Sequence, residues 1–193
     1  MQMGEINMLQ TEENIIELIK NDPWMMDILK AVQKLELSDA WICAGFIRSK
    51  IWDTLHDFSV RTKLNDIDVI YYDPSNIEEE QEKKYERILN GLDSTLPWSV
   101  KNQARMHVLN NFTPYTSSTD GIAHFPETVT ALGVRLNEER KLLLAAPYGV
   151  RDVLGMEVFP TPSFQESALK PIYLDRVTQK NWPAHWKKVK IFR

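Results

Sequence analysis

Asp66 and Asp68 stand two residues apart inside the run Asn65-Asp66-Ile67-Asp68-Val69-Ile70-Tyr71-Tyr72-Asp73. A β-strand sends residues i and i+2 to one face, so the two carboxylates would stand side by side while Ile67, Val69 and Tyr71 point the other way. Like charges that close repel. A hard divalent ion such as Mg2+, which takes one or two carboxylates together with phosphate oxygens, is the usual resolution. Upstream, Gly45 follows the apolar run Trp41-Ile42-Cys43-Ala44 and opens a helix. The first amides of a helix have no internal partners and carry the positive end of its dipole, which makes them a natural seat for phosphate. Gly45 would also let the backbone approach a ligand closely, although a glycine there serves an ordinary turn equally well. The order of the two features joins them: the next strand carries the aspartates, so an anion site and a cation site lie within reach of one triphosphate.

The elements that position these residues can be read from periodicity and punctuation. Thr11 to Lys20 is a short helix, and Asp22 as N-cap with Pro23 in the first position opens the next. Its apolar set is Met25, Ile28, Leu29, Val32 and Leu35. Trp41 to Ala44 forms a short buried strand. Ile47, Ile51, Leu55 and Phe58 line one side of the helix after Gly45, a polar loop follows, and Asp66 to Tyr72 is the aspartate strand. Ser75 and Glu78 predict a capping box for a helix to about Leu92, whose charged stretch Glu78 to Glu86 reads as a solvated face.

Trp98 to Leu109 alternates as a strand. Lys101, Gln103, Arg105 and His107 fall on one side, with Asn102 on the apolar side as a satisfied buried amide. That polar side is either solvated or flanks the carboxylates, where Lys101 and Arg105 would neutralise charge. Ile122 to Leu132 is expected to be helical despite Pro126, Val134 to Ala145 to form a hairpin, Pro147 to Pro162 to be irregular, and Pro171 to Lys180 to form a final helix. The order of helices and strands argues for an α+β or α/β domain with a mixed sheet.

Composition narrows the classes. A chain of 193 residues with formal net charge -4 and 26% charged residues is that of an ordinary globular domain, and the charge gives no support for broad nucleic-acid binding. The single cysteine, Cys43, excludes an internal disulfide and sits where a small buried thiol is expected. Nothing approaches the roughly 18 apolar residues of a membrane span, and Met1-Gln2-Met3-Gly4-Glu5 lacks a basic leader region. The expected compartment is the cytoplasm, with no membrane partner. His56 and His107 are candidate general bases. The tail Lys180, Trp182, His185, Trp186, Lys187, Lys188, Lys190 and Arg193 interleaves aromatics with positive charge, suited to packing a terminal helix or to holding RNA or a nucleotide.

Four segments carry a resemblance: Ala44-Gly45-Phe46-Ile47-Arg48 with Trp52-Asp53 and Leu55-His56, then Asn65-Asp66-Ile67-Asp68-Val69, then Lys101 through His107, then Ala146-Pro147-Tyr148-Gly149. From about Trp24 to Trp186 the chain resembles a bacterial nucleotidyltransferase-like family of uncharacterised proteins within the DNA polymerase β type nucleotidyltransferase superfamily. The resemblance implies an α+β fold over residues 1–193: a nucleotidyltransferase-type mixed sheet with helices mainly on one face, an N-terminal helical extension over 1–22 and a C-terminal helical, basic segment over 163–193. It further implies transfer of a nucleoside monophosphate from a nucleoside triphosphate to an acceptor, whether small molecule, protein or RNA, with two Mg2+ ions on Asp66 and Asp68. Gly45, Phe46 and Arg48 would bind phosphate; for Arg48, a salt bridge to Asp53 is the competing expectation. Phe46 stands where a second Gly or a Ser is common in the superfamily, and no acid lies between Trp98 and Leu109 to serve as a third carboxylate. Both departures suit an alternative, a degenerate non-catalytic nucleotide- or metal-binding regulatory module.

Overall fold

The computed structural model describes residues 9–165 and 168–193; the stretch Met1 to Glu5 lies outside them. Five strands form the main sheet: β1 (Trp41–Cys43), β2 (Ile67–Tyr71), β3 (Trp98–Asn102), β4 (Gly133–Leu136) and β5 (Leu142–Ala145). Their order is β3-β2-β1-β4-β5. β2 and β3 run parallel and the other pairs antiparallel, with Ile42 opposite both Val69 and Val134. The sheet is therefore mixed, as expected. The helices are α1 (Glu12–Lys20), α2 (Pro23–Gln33), α3 (Gly45–Leu55), α4 (Glu79–Leu92), α5 (Gln103–Met106), α6 (Ser118–Ala123), α7 (Arg151–Gly155), α8 (Pro162–Gln165), α9 (Lys170–Lys180) and α10 (Trp182–His185).

The alternation in β2 sorts the two faces. Ile67, Val69 and Tyr71 enter the main core with Ile28, Leu29, Ile47, Ile51 and Trp52 of the helices, while Ile70 joins Trp41, Cys43, Ile122 and Ala131 on the other face. Asp66 and Asp68 share this second, less covered face. Thr11 caps α1, and the Asp22 carboxylate accepts the Met25 amide at 3.1 Å to start α2 with Pro23 in its first turn. Cys43 is fully buried.

α4 does more than present a solvated face. β3 is an edge strand, and unpaired edge amides need acceptors. Glu86 takes the Val100 amide at 3.1 Å and Glu82 the Asn102 amide at 2.8 Å. Glu82 is completely buried.

Several expectations are corrected. β3 ends at Asn102, where the chain turns helical, because the Asn102 side chain caps α5 by accepting the Ala104 amide at 3.1 Å. Gln103, Arg105 and His107 therefore belong to helical turns and do not extend a polar strand face. Asn102 is a satisfied amide: its oxygen also accepts from the Asp73 amide, and its nitrogen donates to the Asp73 and Asn76 carbonyls. The capping box of Ser75 and Glu78 does not form, since Asp73 captures both the amide and hydroxyl of Ser75, and Asn76 accepts the Glu78 amide. Helix occupies Ser118–Ala123 rather than Ile122 to Leu132; Pro126 has no amide to donate, and the chain folds instead into a turn on the Glu127 carbonyl. Phe58 lies beyond the end of α3 and is exposed. Within Pro147 to Pro162 the chain forms α7 and a strand, β6 (Glu157–Val158), paired in parallel with β7 (Lys190–Ile191). That partner is the tail, so local sequence gave little sign of it.

Candidate active site

Asp66, Asp68, Gly45 and Arg48 line one cleft of about 390 Å3, together with Thr62 to Asn65, Thr130 and the C-terminal residues Arg176, Lys180, Trp182, His185 and Trp186. Asp66 is exposed at its mouth and Asp68 is partly buried. Among the described residues neither carboxylate accepts a hydrogen bond; only burial and charge act on Asp68. Burial first, then the charge of Asp66, push the Asp68 carboxyl up to about 6, against the pull of Lys180, Arg176 and Arg48. This is the electrostatic signature of two carboxylates sharing a site. Two unpaired hard oxygen donors suit Mg2+. Among the described residues no group of three His, Cys, Asp or Glu gathers as a metal site.

β1 delivers the chain into α3 through Ala44, whose φ of 53° and ψ of -114° are an uncommon combination for a residue with a Cβ. The Ala44 amide bonds the Leu132 carbonyl at 3.1 Å, which fixes the corner to the strand beside it. No side chain caps α3, so its first amides, those of Gly45 and Phe46, lack a side-chain acceptor. The Phe46 ring itself is buried against Trp24, 5.9 Å between centroids, and only its backbone faces the corner.

Arg48 does not pair with Asp53. Asp53 is buried and already accepts the Thr62 amide at 2.8 Å, the Thr62 hydroxyl at 2.6 Å and the Trp186 indole N–H at 2.9 Å. The Arg48 guanidinium lies instead among three indoles, with its Cζ 5.3, 4.9 and 5.6 Å from the rings of Trp52, Trp182 and Trp186. Such contacts hold a cation without neutralising it. Among the described residues its one hydrogen bond is to the Ser49 hydroxyl at 3.3 Å, and its buried Nε has no partner there. Burial lowers its pKa to about 10, opposed chiefly by Glu127 and Asp66; the group stays charged at neutral pH.

Lys101 and Arg105 are placed elsewhere. Arg105 forms a two-pronged bond to Glu82, both distances 2.7 Å, and Lys101 joins it at 3.3 Å. Neither lines the cleft. His56 is also committed: its Nδ1 lies 2.7 Å from the Trp52 carbonyl and its Nε2 accepts the Lys188 amide at 3.0 Å. His107 packs on Tyr115, outside the cleft lining. Of the cleft's further cations, Lys180 belongs to the tail noted for holding a nucleotide, and Arg176 was not anticipated. The one sequence sign was the lack of any acid after Asp175, which marked the tail as basic without saying where it folds.

A profile of the family described as Nucleotidyltransferase matches residues 30–191. A solved structure described as a CCA-adding enzyme head domain is 37% identical, with a TM-score of 0.85 over 95% of this chain and 96% of that one. A CCA-adding enzyme in complex with CTP has 12% identity and a TM-score of 0.55. A tRNA nucleotidyltransferase with a primer tRNA and an incoming ATP analogue has 17% identity and a TM-score of 0.54. These last two show likeness of fold, and this chain spans 44% and 46% of their lengths. No curated protein matches significantly, and no helix among the described residues is long and apolar enough to cross a membrane. Since the profile covers most of the chain and the 37% identical head domain aligns over nearly its whole length, the chain belongs to the nucleotidyltransferase family.

Proposed function

We propose that the protein transfers a nucleoside monophosphate from a nucleoside triphosphate to an acceptor in a Mg2+-dependent reaction. The observation that carries this reading is the meeting, in one cleft, of the paired Asp66 and Asp68, the uncapped start of α3 and the unpaired Arg48. Family membership supports nucleotidyl transfer in general.

Asp66 and Asp68 would hold the ion, which when bound supplies polarisation of the phosphoryl group and charge for the departing pyrophosphate. The chain's own residues bind and orient the donor. Backbone N–H groups at the start of α3 donate to phosphate oxygens, and Phe46, whose ring is turned into the core, contributes through its amide. Arg48 presents a charge that the three indoles shield from water, and a shielded charge attracts phosphate more strongly than a solvated one. These fixed donors need little reorganisation as negative charge moves to the leaving group. The absence of a third metal-ligating side chain among the described residues favours one competing reading, a nucleotide-binding module without turnover.

Amide NMR shifts followed during titration with Mg2+ and each nucleoside triphosphate test binding. Movement around Gly45, Asp66 and Asp68 is expected, and its absence at millimolar ligand refutes both readings. Pyrophosphate release over a panel of hydroxyl, phosphate and RNA 3′-end acceptors, abolished in Asp66→Asn and Asp68→Asn, identifies the enzyme. Binding without release from any acceptor favours the module.

A further inference from the structure

Two of the three cations acting on Asp68 come from α9, and Lys180 and Arg176 both precede Arg48 in strength. They stand four residues apart, on one side of the helix, and like charges in that spacing repel. Among the described residues, Arg176 is paired with an acid along part of its guanidinium, and Lys180 is not. Lys180 is exposed and forms no ion pair among the described residues. Arg176 gives its Nε to Glu127 at 2.8 Å and one terminal nitrogen at 3.4 Å. A guanidinium has five N–H donors, and the remaining ones have no acceptor among the described residues.

Glu127 is fully buried. Its second oxygen accepts the Thr130 hydroxyl at 2.7 Å, and its carbonyl accepts the Thr130 and Ala131 amides in the turn that leads into β4. The Glu127 carboxylate is thus fixed to the sheet and grips Arg176 by one edge. Arg176 itself lines the cleft.

We propose that Arg176 and Lys180 form an anion subsite for the phosphates of the donor nucleotide, and that Glu127 is the positioning residue that aims Arg176 into it. The assignment rests on the nucleotidyl-transfer reading above and adds a second wall to the site, from the opposite end of the chain to Gly45 and Arg48. Donor phosphates would then be held between the start of α3 and the face of α9.

Calorimetric titration with inorganic tripolyphosphate in the presence of Mg2+ tests it. Lys180→Ala, at an exposed position, and Arg176→Ala should each weaken binding about tenfold, the loss of one charge-assisted bond, and each should flatten the dependence of affinity on salt. Glu127→Gln should weaken binding about fivefold in the natural background and not at all when combined with Arg176→Ala, since a residue that acts only through another loses its effect when that other is removed. If both cation variants bind as the natural protein does while Asp66→Asn abolishes binding, the subsite is refuted and the reading beneath it stands. Binding that is absent in the natural protein, or unchanged by Asp66→Asn, refutes the underlying reading. An equal loss from Glu127→Gln in both backgrounds makes Glu127 structural only and overturns its positioning role.

Discussion

Replacing Arg105 by Ala separates the place where its charge acts, on Glu82, from the place beside the carboxylates where it was expected. Arg105 holds the fully buried Glu82 through two bonds of 2.7 Å. Breaking a buried pair from one side costs about 3–5 kcal/mol. Here the loss is smaller, because the Arg105 side chain is 24% exposed and Glu82 keeps the Asn102 amide at 2.8 Å and Lys101 at 3.3 Å. We expect about 2 kcal/mol, and at about 2–4 °C per kcal/mol for a chain of this size the melting midpoint should fall about 4–8 °C. Burial alone would raise the Glu82 pKa, but Arg105, the Asn102 amide and Lys101 outweigh it and hold the group below its ordinary 4.5. A carboxylate so lowered stabilises the fold fully above its ordinary value and progressively less as pH falls through its folded value. The gap between the natural protein and Arg105→Ala should therefore be widest at neutral pH and narrow below pH 4.5. Calorimetric melting across pH, with Mg2+ and nucleotide titration at neutral pH, checks both halves. A variant that melts like the natural protein but binds nucleotide tenfold more weakly would refute the assignment of Arg105 to the sheet edge.

Asp68→Asn should raise the melting midpoint of the metal-free protein at pH 7.5 by about 2–4 °C, the effect of about 1 kcal/mol. A carboxyl raised to about 6 costs stability once it ionises, so the gain should vanish near pH 4, and Mg2+ should stabilise the natural protein but not the variant. Trp186→Phe removes the indole donor from buried Asp53 and should cost about 1–3 kcal/mol in denaturant unfolding, with weaker nucleotide binding as Arg48 gains access to water. Ala44→Gly relieves the positive φ of 53° and should stabilise the fold by about 1 kcal/mol, measured as a higher denaturation midpoint with an unchanged slope.

Asp66 and Asp68 were legible because alternation is a property of five adjacent residues, and β2 preserves it from Ile67 to Tyr71. Gly45 was legible for the same reason, although the strained corner is one residue earlier, at Ala44. Lys101 lies within β3 and is drawn to Glu82 of α4, whereas Arg105 was misread by carrying the alternation of β3 past Asn102. The sign against it was present: an asparagine that can cap, followed by Gln103, Ala104, Arg105 and Met106, all strong helix formers. Arg176, Lys180 and the Trp182 and Trp186 indoles belong to another category. Their place in the cleft depends on the C-terminal segment folding back along α3, more than a hundred residues away in sequence, with Trp186 bonded to Asp53 and Lys188 to His56 near the end of that helix. Periodicity cannot report such a contact.

Three buried polar side chains show how the fold satisfies such groups: Asn102 makes four side-chain bonds, Asp53 accepts three, and Glu82 combines two cations with an amide. The cleft reverses this pattern. Within it lie a positive φ at Ala44, an uncapped helix start, a buried Arg48 Nε without a partner among the described residues, a carboxyl pushed up to about 6 and an exposed Lys180 without an ion pair among the described residues. Tyr71, His107 and Arg135 each leave a buried polar atom unpaired as well, but singly, without a neighbouring carboxylate pair or free helix start. Each feature of the cleft disfavours the empty protein, and their concentration at one place is what a site held ready for a charged ligand requires. A metal ion between Asp66 and Asp68 removes one repulsion, and phosphates near Arg48 remove another. The two ligands should therefore bind cooperatively, each tightening the other by the same factor.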